Sequence, residues 1–234
     1  MTHQQMALDI SLRDDLDFEH FITGHNEELV NHLVRVANGA SSVPVLFIWG
    51  ASGSGKTHLL NACYRTSVKQ GRSALFVTLA DAADRHGDLS LFDAATQYNL
   101  YCVDGLERVA GNVDWEEKLF QLCNFARDYD RSVILTAERP PTHLGLALRD
   151  LVTRLMSGLT YQVLPLNDAQ KISALQERAA HRGFELPTNA AQYLLDRCHR
   201  QTSHLFDILD TLDRASLEQK RVITVPFLRS LKLE

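Results

Sequence analysis

Hydrophobic and polar positions along this chain follow two rhythms, and the change between them divides it. Up to Pro165 short, nearly continuous apolar runs recur: VPVLFIW, SALFVTLA, YNLYCVDGL, RSVILTAE and TYQVLPL. Runs of this length without polar alternation suit strands buried on both faces. Between them, THLLNACYRTSVKQG and WEEKLFQLCNFARDYD place apolar residues three and four apart, as on one face of a helix, and Gly71 closes the first. DAADRHGDLSLFDAATQ is polar and reads as a short helix and a loop. Strands alternating with helices predict an α/β fold, a parallel sheet covered by helices on both faces. After Pro165 the strand rhythm stops. NDAQKISALQERAAHRG, TNAAQYLLDRCHR, TSHLFDILDTLDRASLEQ and VPFLRSLKLE all read as helices, punctuated by Gly183, Pro187 and Pro226. Upstream, DFEHFITGHNEELVNHLVRVANG opens on aromatic residues and continues as an amphipathic helix to near Gly39, while residues 1–15 carry no sustained period. The pattern predicts a flexible tail over 1–17, an α/β domain over 18–165 and a small all-α domain over 166–234.

Composition narrows the function classes. At 234 residues, 45% hydrophobic and 23% charged, the chain has room for one large domain and a smaller appendage. A net charge of -5 argues against a surface that holds nucleic acid nonspecifically. The four cysteines form no CxxC pair and no HExxH box occurs, so Cys63, Cys102, Cys123 and Cys198 read as reduced thiols of a cytosolic protein and no histidine is given a metal. No charged–apolar–small leader opens the chain, and no run approaches the ~20 apolar residues of a membrane span. The expectation is a cytoplasmic protein without membrane contact.

The chemistry centres on Gly50-Ala51-Ser52-Gly53-Ser54-Gly55-Lys56-Thr57, which fits G-x-x-x-x-G-K-[ST] between a predicted strand and a predicted helix. Glycines let backbone N–H groups curl around phosphate oxygens, and the helix beginning near Lys56 adds its positive end. Lys56 is expected to reach the outer phosphates and Thr57 to ligate Mg²⁺. Asp104, ending the run Leu100-Tyr101-Cys102-Val103, is the expected magnesium carboxylate. Many phosphate-transferring enzymes add a second acid to polarise the attacking water. Here Gly105 follows, and Glu107 would point elsewhere unless the strand has already turned. The run Val133–Ala137 leads to Glu138, on the rim where a parallel sheet would hold phosphates; an ordinary strand end capped by Pro140 and Pro141 is the alternative. Arg149 and Arg154 precede the last strand. Arg154 either pairs with Asp150 one turn earlier on a helix or is presented to a neighbour's site.

As a set, the cradle, the Asp104 strand, the Glu138 strand, the pre-strand arginine and the helical tail resemble the AAA+ ATPases. FEHFITGHNEEL, LFIWGASGSGKTHLLNA, VILTAERPP and LRDLVTRLMSGL bring the resemblance closer, to the ATPase domain of the bacterial replication initiator DnaA, over residues 18–234. With no helix-turn-helix expected after the helical lid, the chain also resembles the short DnaA-homologous regulators of the Hda type. That resemblance implies an AAA+ P-loop domain with a helical lid, ADP or ATP with Mg²⁺ as cofactors, and cradle residues Gly50, Ser52, Gly53, Ser54, Gly55, Lys56 and Thr57. It implies further that Phe18, Phe21, Ile22 and Asn26 close over the adenine, that Glu138 is a phosphate sensor and that Arg154 is an arginine finger acting in trans. The lid arginine of the family is replaced by Ser203, with Arg200 one turn away as a substitute. The resemblance also makes Gln5-Met6-Ala7-Leu8-Asp9-Ile10 the counterpart of a Q-L-S-L-P-L peptide that docks on the DNA polymerase III sliding clamp. Gln5 and Leu8 match, Met6 and Ile10 are apolar stand-ins, and Asp9 replaces proline.

The resulting expectation is a latch. A nucleotide-bound regulator, favouring ADP and weak in its own turnover, would contact DNA only through the clamp and stimulate ATP hydrolysis by DnaA, preventing re-initiation of replication. The alternatives are an AAA+ loader or motor of the helicase-loader type with its own turnover, and an adaptor whose Arg154 does no chemistry. A tail peptide and an exposed finger also invite contact with a second copy, so a homo-oligomer is compatible with the chain.

Overall fold

A computed structural model describes residues 16–41, 43–84, 92, 97–199, 201–219 and 222–231. Five strands, β1 (Val45–Trp49), β2 (Ala74–Thr78), β3 (Leu100–Asp104), β4 (Ser132–Ala137) and β5 (Leu159–Gln162), form one sheet in the order β2-β3-β4-β1-β5. Every pairing is parallel. The helices α1 (Glu27–Ala37), α2 (Lys56–Lys69), α3 (Leu79–Asp84), α4 (Val113–Asp128) and α5 (Arg149–Ser157) accompany it. The run SALFVTLA is strand only to Thr78; its last residues already start α3.

Alternation along the strands feeds two cores. Val45 and Phe47 of β1 face one side with Tyr101, Val103, Val133 and Leu135, packed on α4 and α5. Leu46 and Ile48 face the other with Cys102 and Ile134, packed on α1 and α2. All ten of these strand residues are essentially inaccessible, which is why the runs carry no polar alternation. Because β1 sits between β4 and β5, the ends of β1, β3 and β4 share one rim, and the functional residues gather there.

The chain after Pro165 forms α6 (Asp168–His181), α7 (Thr188–Arg197), α8 (Thr202–Gln219) and α9 (Val225–Ser230). They enclose their own core around Leu175, Leu194, Leu205, Leu209 and Phe227. Asn167 starts α6 with a reciprocal capping box: its side chain accepts from the Gln170 N–H, and the Gln170 side chain accepts from the Asn167 N–H. No described helix is long and apolar enough to cross a membrane.

Candidate functional site

The loop 50–55 joins β1 to α2, and its shape requires glycine at Gly55. That residue takes φ +100°, and a Cβ there would stand 2.8 Å from the Phe21 ring. Lys56 opens α2 with its ammonium folded over the loop, donating to Gly50 O (2.7 Å) and Ala51 O (2.9 Å). Burial lowers its pKa below the ordinary lysine value, opposed by the carboxylates of Glu107, Asp104 and Glu138. Thr57 donates its hydroxyl to Asp104 Oδ2 at 2.7 Å. The other carboxylate oxygen accepts from the Thr136 hydroxyl, which in turn accepts from the Gly105 N–H.

Glu107 corrects a sequence expectation. Gly105 takes φ +85°, the strand ends at once, and a single 3₁₀ turn over Leu106–Arg108 swings the Glu107 side chain back to the rim. There its Oε2 accepts the Glu138 N–H at 3.2 Å, and of the three carboxylates it acts most strongly on Lys56. Thr136, which holds Asp104 in place, was also missed. Its signal was a lone hydroxyl at the end of an apolar run.

These groups line a cavity of about 880 Å³ that also takes in Phe21, Ile22 and Asn26 from before α1, and Lys171, Arg178 and Phe206 from α6 and α8. Asn26 is buried and fixes its segment: its amide donates to Leu164 O (3.0 Å) and its oxygen accepts from Leu164 N–H (2.8 Å). Phe18 packs beneath, against the core over α1 and α2, rather than lining the cavity. Ser52, Gly53 and Ser54 line it, and the buried Ser54 hydroxyl has no hydrogen-bond partner among the described residues. The donor set fits a nucleotide phosphate chain with Mg²⁺. An orphaned hydroxyl and a desolvated ammonium resting on neutral carbonyls both lack an anion, and Thr57 with Asp104 offers oxygens where a magnesium ion would need them. Ser203 lies in the first turn of α8, after Thr202 at the cavity wall. Arg200 and the clamp-peptide residues Gln5, Met6, Leu8 and Ile10 lie outside the described residues.

Arg154 is not brought to this cavity. It sits in the last turn of α5, beside α4, with a buried Nε that has no hydrogen-bond partner among the described residues. Burial pushes the Cys123 thiol up to about 12, with the nearby Arg154 charge pulling it down. No ion pair joins Arg154 to Asp150, so the surface-pair alternative is not what the fold makes. Arg149 is the first residue of α5.

None of the four cysteines is in a disulfide; Cys63, Cys102 and Cys123 are fully buried and Cys198 half-buried. Burial raises every one of these thiols. Since the thiolate is the reactive form, alkylation of the native protein is expected at Cys198 alone. Mass spectrometry of peptides labelled before and after unfolding checks this, and native labelling of Cys63 or Cys102 would contradict it.

His58 ties the segment before α1 to α2. Its Nε2 donates to Asp17 O at 2.7 Å, and its ring meets Phe21 edge-on at a centroid distance of 5.4 Å. Burial lowers its pKa below 6.5, against the Asp17 carbonyl and carboxylate, with His20 adding to the lowering. Between that lowered value and 6.5 the unfolded chain holds more protons than the folded one, so stability rises with pH there. It is complete above 6.5 and falls as the pH drops through that value. Melting curves at descending pH should therefore slope less steeply in His58→Gln than in wild type, by at most one proton. Equal slopes would assign the acid sensitivity elsewhere.

A glycine loop and lysine at the carboxyl end of β1, a carboxylate at the end of β3 on the same rim, a sheet ordered 2-3-4-1-5 and a helical lid over the cavity define an AAA+ P-loop protein. Residues 12–162 match the bacterial DnaA ATPase domain, and the chain belongs to that family, with residues 168–231 matching the lid domain of Hda. The chain is therefore an Hda-like homologue of DnaA. Among solved structures it is similar to domain III of the Thermotoga maritima initiation protein DnaA, with TM-score 0.79 and 19% identity over 92% of this chain and 94% of that one. AMPPCP-bound DnaA from Aquifex aeolicus follows at TM-score 0.70 and 22% identity, covering 90% of this chain and 70% of that one. A Thermotoga maritima RuvB variant reaches TM-score 0.66 at 15% identity, covering 94% and 72%. At these identities the likeness is one of fold.

Proposed function

We propose that this protein holds an adenine nucleotide, ADP in its working state, and acts as a regulator that stimulates ATP hydrolysis by the initiator DnaA together with the DNA-loaded sliding clamp. The observation that carries the reading is the split between two sites. A complete phosphate cradle stands on one rim, while Arg154 stands outside that cavity with a buried, unpartnered Nε. An arginine outside its own nucleotide cavity has no work there, and this reading assigns it to another molecule's site. The AMPPCP in the DnaA structure from Aquifex aeolicus supports an adenine nucleotide as the class of ligand.

In this reading the loop N–H groups and Lys56 bind the phosphates, Thr57 and Asp104 hold magnesium, and Thr136 orients Asp104 by occupying its second oxygen. Bound Mg²⁺ would neutralise charge between phosphate oxygens. Phe21 and Ile22 cover the base, and Asn26 keeps their segment against Leu164. Ser203 in place of a lid arginine removes a contact to the outermost phosphate and so favours the diphosphate. Residues 5–10 tether the protein to the clamp, and tethering raises effective concentration without new interface area.

The test is phosphate release from ATP-loaded DnaA mixed with this protein and clamp on DNA, each component omitted in turn. Release that needs all of them supports the regulator. Turnover by this protein alone supports the second reading, an ATPase of the helicase-loader type, which Glu107 favours because its carboxylate has returned to the phosphate rim.

A further inference from the structure

Glu116 is a carboxylate with no solvent exposure at all, one turn into α4, and neither the cradle nor the lid uses it. Burying a carboxylate is costly unless it is hydrogen-bonded on all sides. Three backbone N–H groups meet that demand. Oε1 accepts from Gly111 (2.7 Å) and Ala147 (3.1 Å), and Oε2 accepts from Leu148 (2.6 Å). Hydrogen bonds of this charge-assisted kind are about twice as strong as neutral ones.

Two of the three donors belong to the peptide that starts α5. Leu148 is the N-cap of that helix, has no capping side chain of its own, and its carbonyl accepts from Leu151 and Val152. The carboxylate thus fixes the first turn of α5 and places negative charge at its positive end. Leu151 and Leu155, both fully buried, fix the rotation of α5 about its axis. Seven residues beyond Glu116, on the same face of α4, Cys123 lies within the field of Arg154. One face of α4 therefore holds the start of the short helix that carries the arginine through Glu116, and shares an apolar cluster with its last turn through Cys123 and Leu155.

We infer that Glu116 is a positioning residue for Arg154: its buried carboxylate anchors the start of α5 so that the guanidinium is held at a fixed place and angle on the surface. This rests on the reading of Arg154 as a group acting in another molecule's site. An arginine stabilising transferring charge must be placed closely, since a 1 Å displacement can cost about 100-fold in rate.

Glu116→Gln isolates the contact. With its amide oxygen on Gly111 and Ala147, the variant sets an NH₂ against the Leu148 N–H, donor against donor, and opens the α5 end selectively. In the full chain, the expected result is unchanged ADP binding, faster hydrogen exchange at the Leu148 amide and a shifted Arg154 Nε–H resonance. The maximal rate of stimulated phosphate release should fall roughly 10- to 100-fold, with little change in the protein concentration that gives half of it. The double variant Glu116→Gln/Arg154→Ala should be no worse than Arg154→Ala, which a general loss of stability would not reproduce. An unchanged Leu148 amide and Arg154 signal in the folded variant overturns the inference, whatever the rate does. If both signals move but wild type itself gives no stimulation, the positioning stands and the regulatory reading falls. Additive losses in the double variant also overturn it.

Discussion

Arg154→Ala is expected to abolish the stimulation of DnaA while leaving this protein folded and loaded with nucleotide. An arginine supplied in trans is worth ~10³–10⁵ in the rate of related phosphoryl transfers, so residual stimulation should be close to background. The fold predicts little collateral damage. Among the described residues no carboxylate is left unpaired, because Arg154 forms no ion pair with Asp150, and the residue does not line its own nucleotide cavity. Arg154→Lys should fail nearly as badly, since a point charge on a flexible stem does not reproduce a planar fork of donors. The checking measurements are ADP affinity, melting temperature and phosphate release with clamp and DNA present. Stimulation that survives in Arg154→Ala removes the residue from the mechanism and leaves an adaptor.

Whatever is contiguous in the chain was readable before the fold was known. Strands buried on both faces are uninterrupted apolar runs, so β1, β3 and β4 announced themselves, and the cradle residues Gly50–Thr57 share one turn. What the chain separates was harder. The insertion of β1 between β4 and β5 depends on which runs pair, and no single run carries that information. Glu107 was misjudged because extending a strand period past Asp104 points it away, whereas Gly105 in a left-handed conformation ends the strand. Thr136 and Asp104 meet across neighbouring strands, although they lie 32 positions apart in the chain. Glu116 had no sequence signature whatever: on a helix with apolar residues three and four apart it reads as one more solvated acid. Its burial follows from two loops closing over it, and its positioning role is exerted two helical turns away. The same separation explains why Arg154 stayed ambiguous. Spacing offered Asp150 as a partner, and only the packing of α5 on α4 shows a guanidinium turned to other surroundings.

Lys56→Met should uncouple the stability of the free protein from that of the nucleotide complex. Methionine keeps the aliphatic stem that opens α2 and deletes the ammonium. In the free protein that ammonium is held on two neutral carbonyls, and burial outweighs the attraction of Glu107, Asp104 and Glu138, so the fold disfavours its charge. Removing the charge is therefore expected to leave the melting temperature of the nucleotide-free protein unchanged or slightly higher. With nucleotide the sign reverses, because a phosphate would be left without its buried cation. Losing one member of such a pair costs about 2–5 kcal/mol, equivalent to an affinity lower by roughly 30- to several-thousand-fold. At an ADP concentration ~100 times the wild-type Kd, ligand binding stabilises wild type by about 2.7 kcal/mol, and the variant by less than ~1 kcal/mol. Thermal melting with and without ADP and Mg²⁺ reads both halves of the prediction. A variant still raised by ADP as much as wild type would show that Lys56 does not face the phosphates. A variant that melts far lower without ADP would show instead that the ammonium holds the loop in the free protein, and that the cradle is shaped by Lys56 rather than by its glycines.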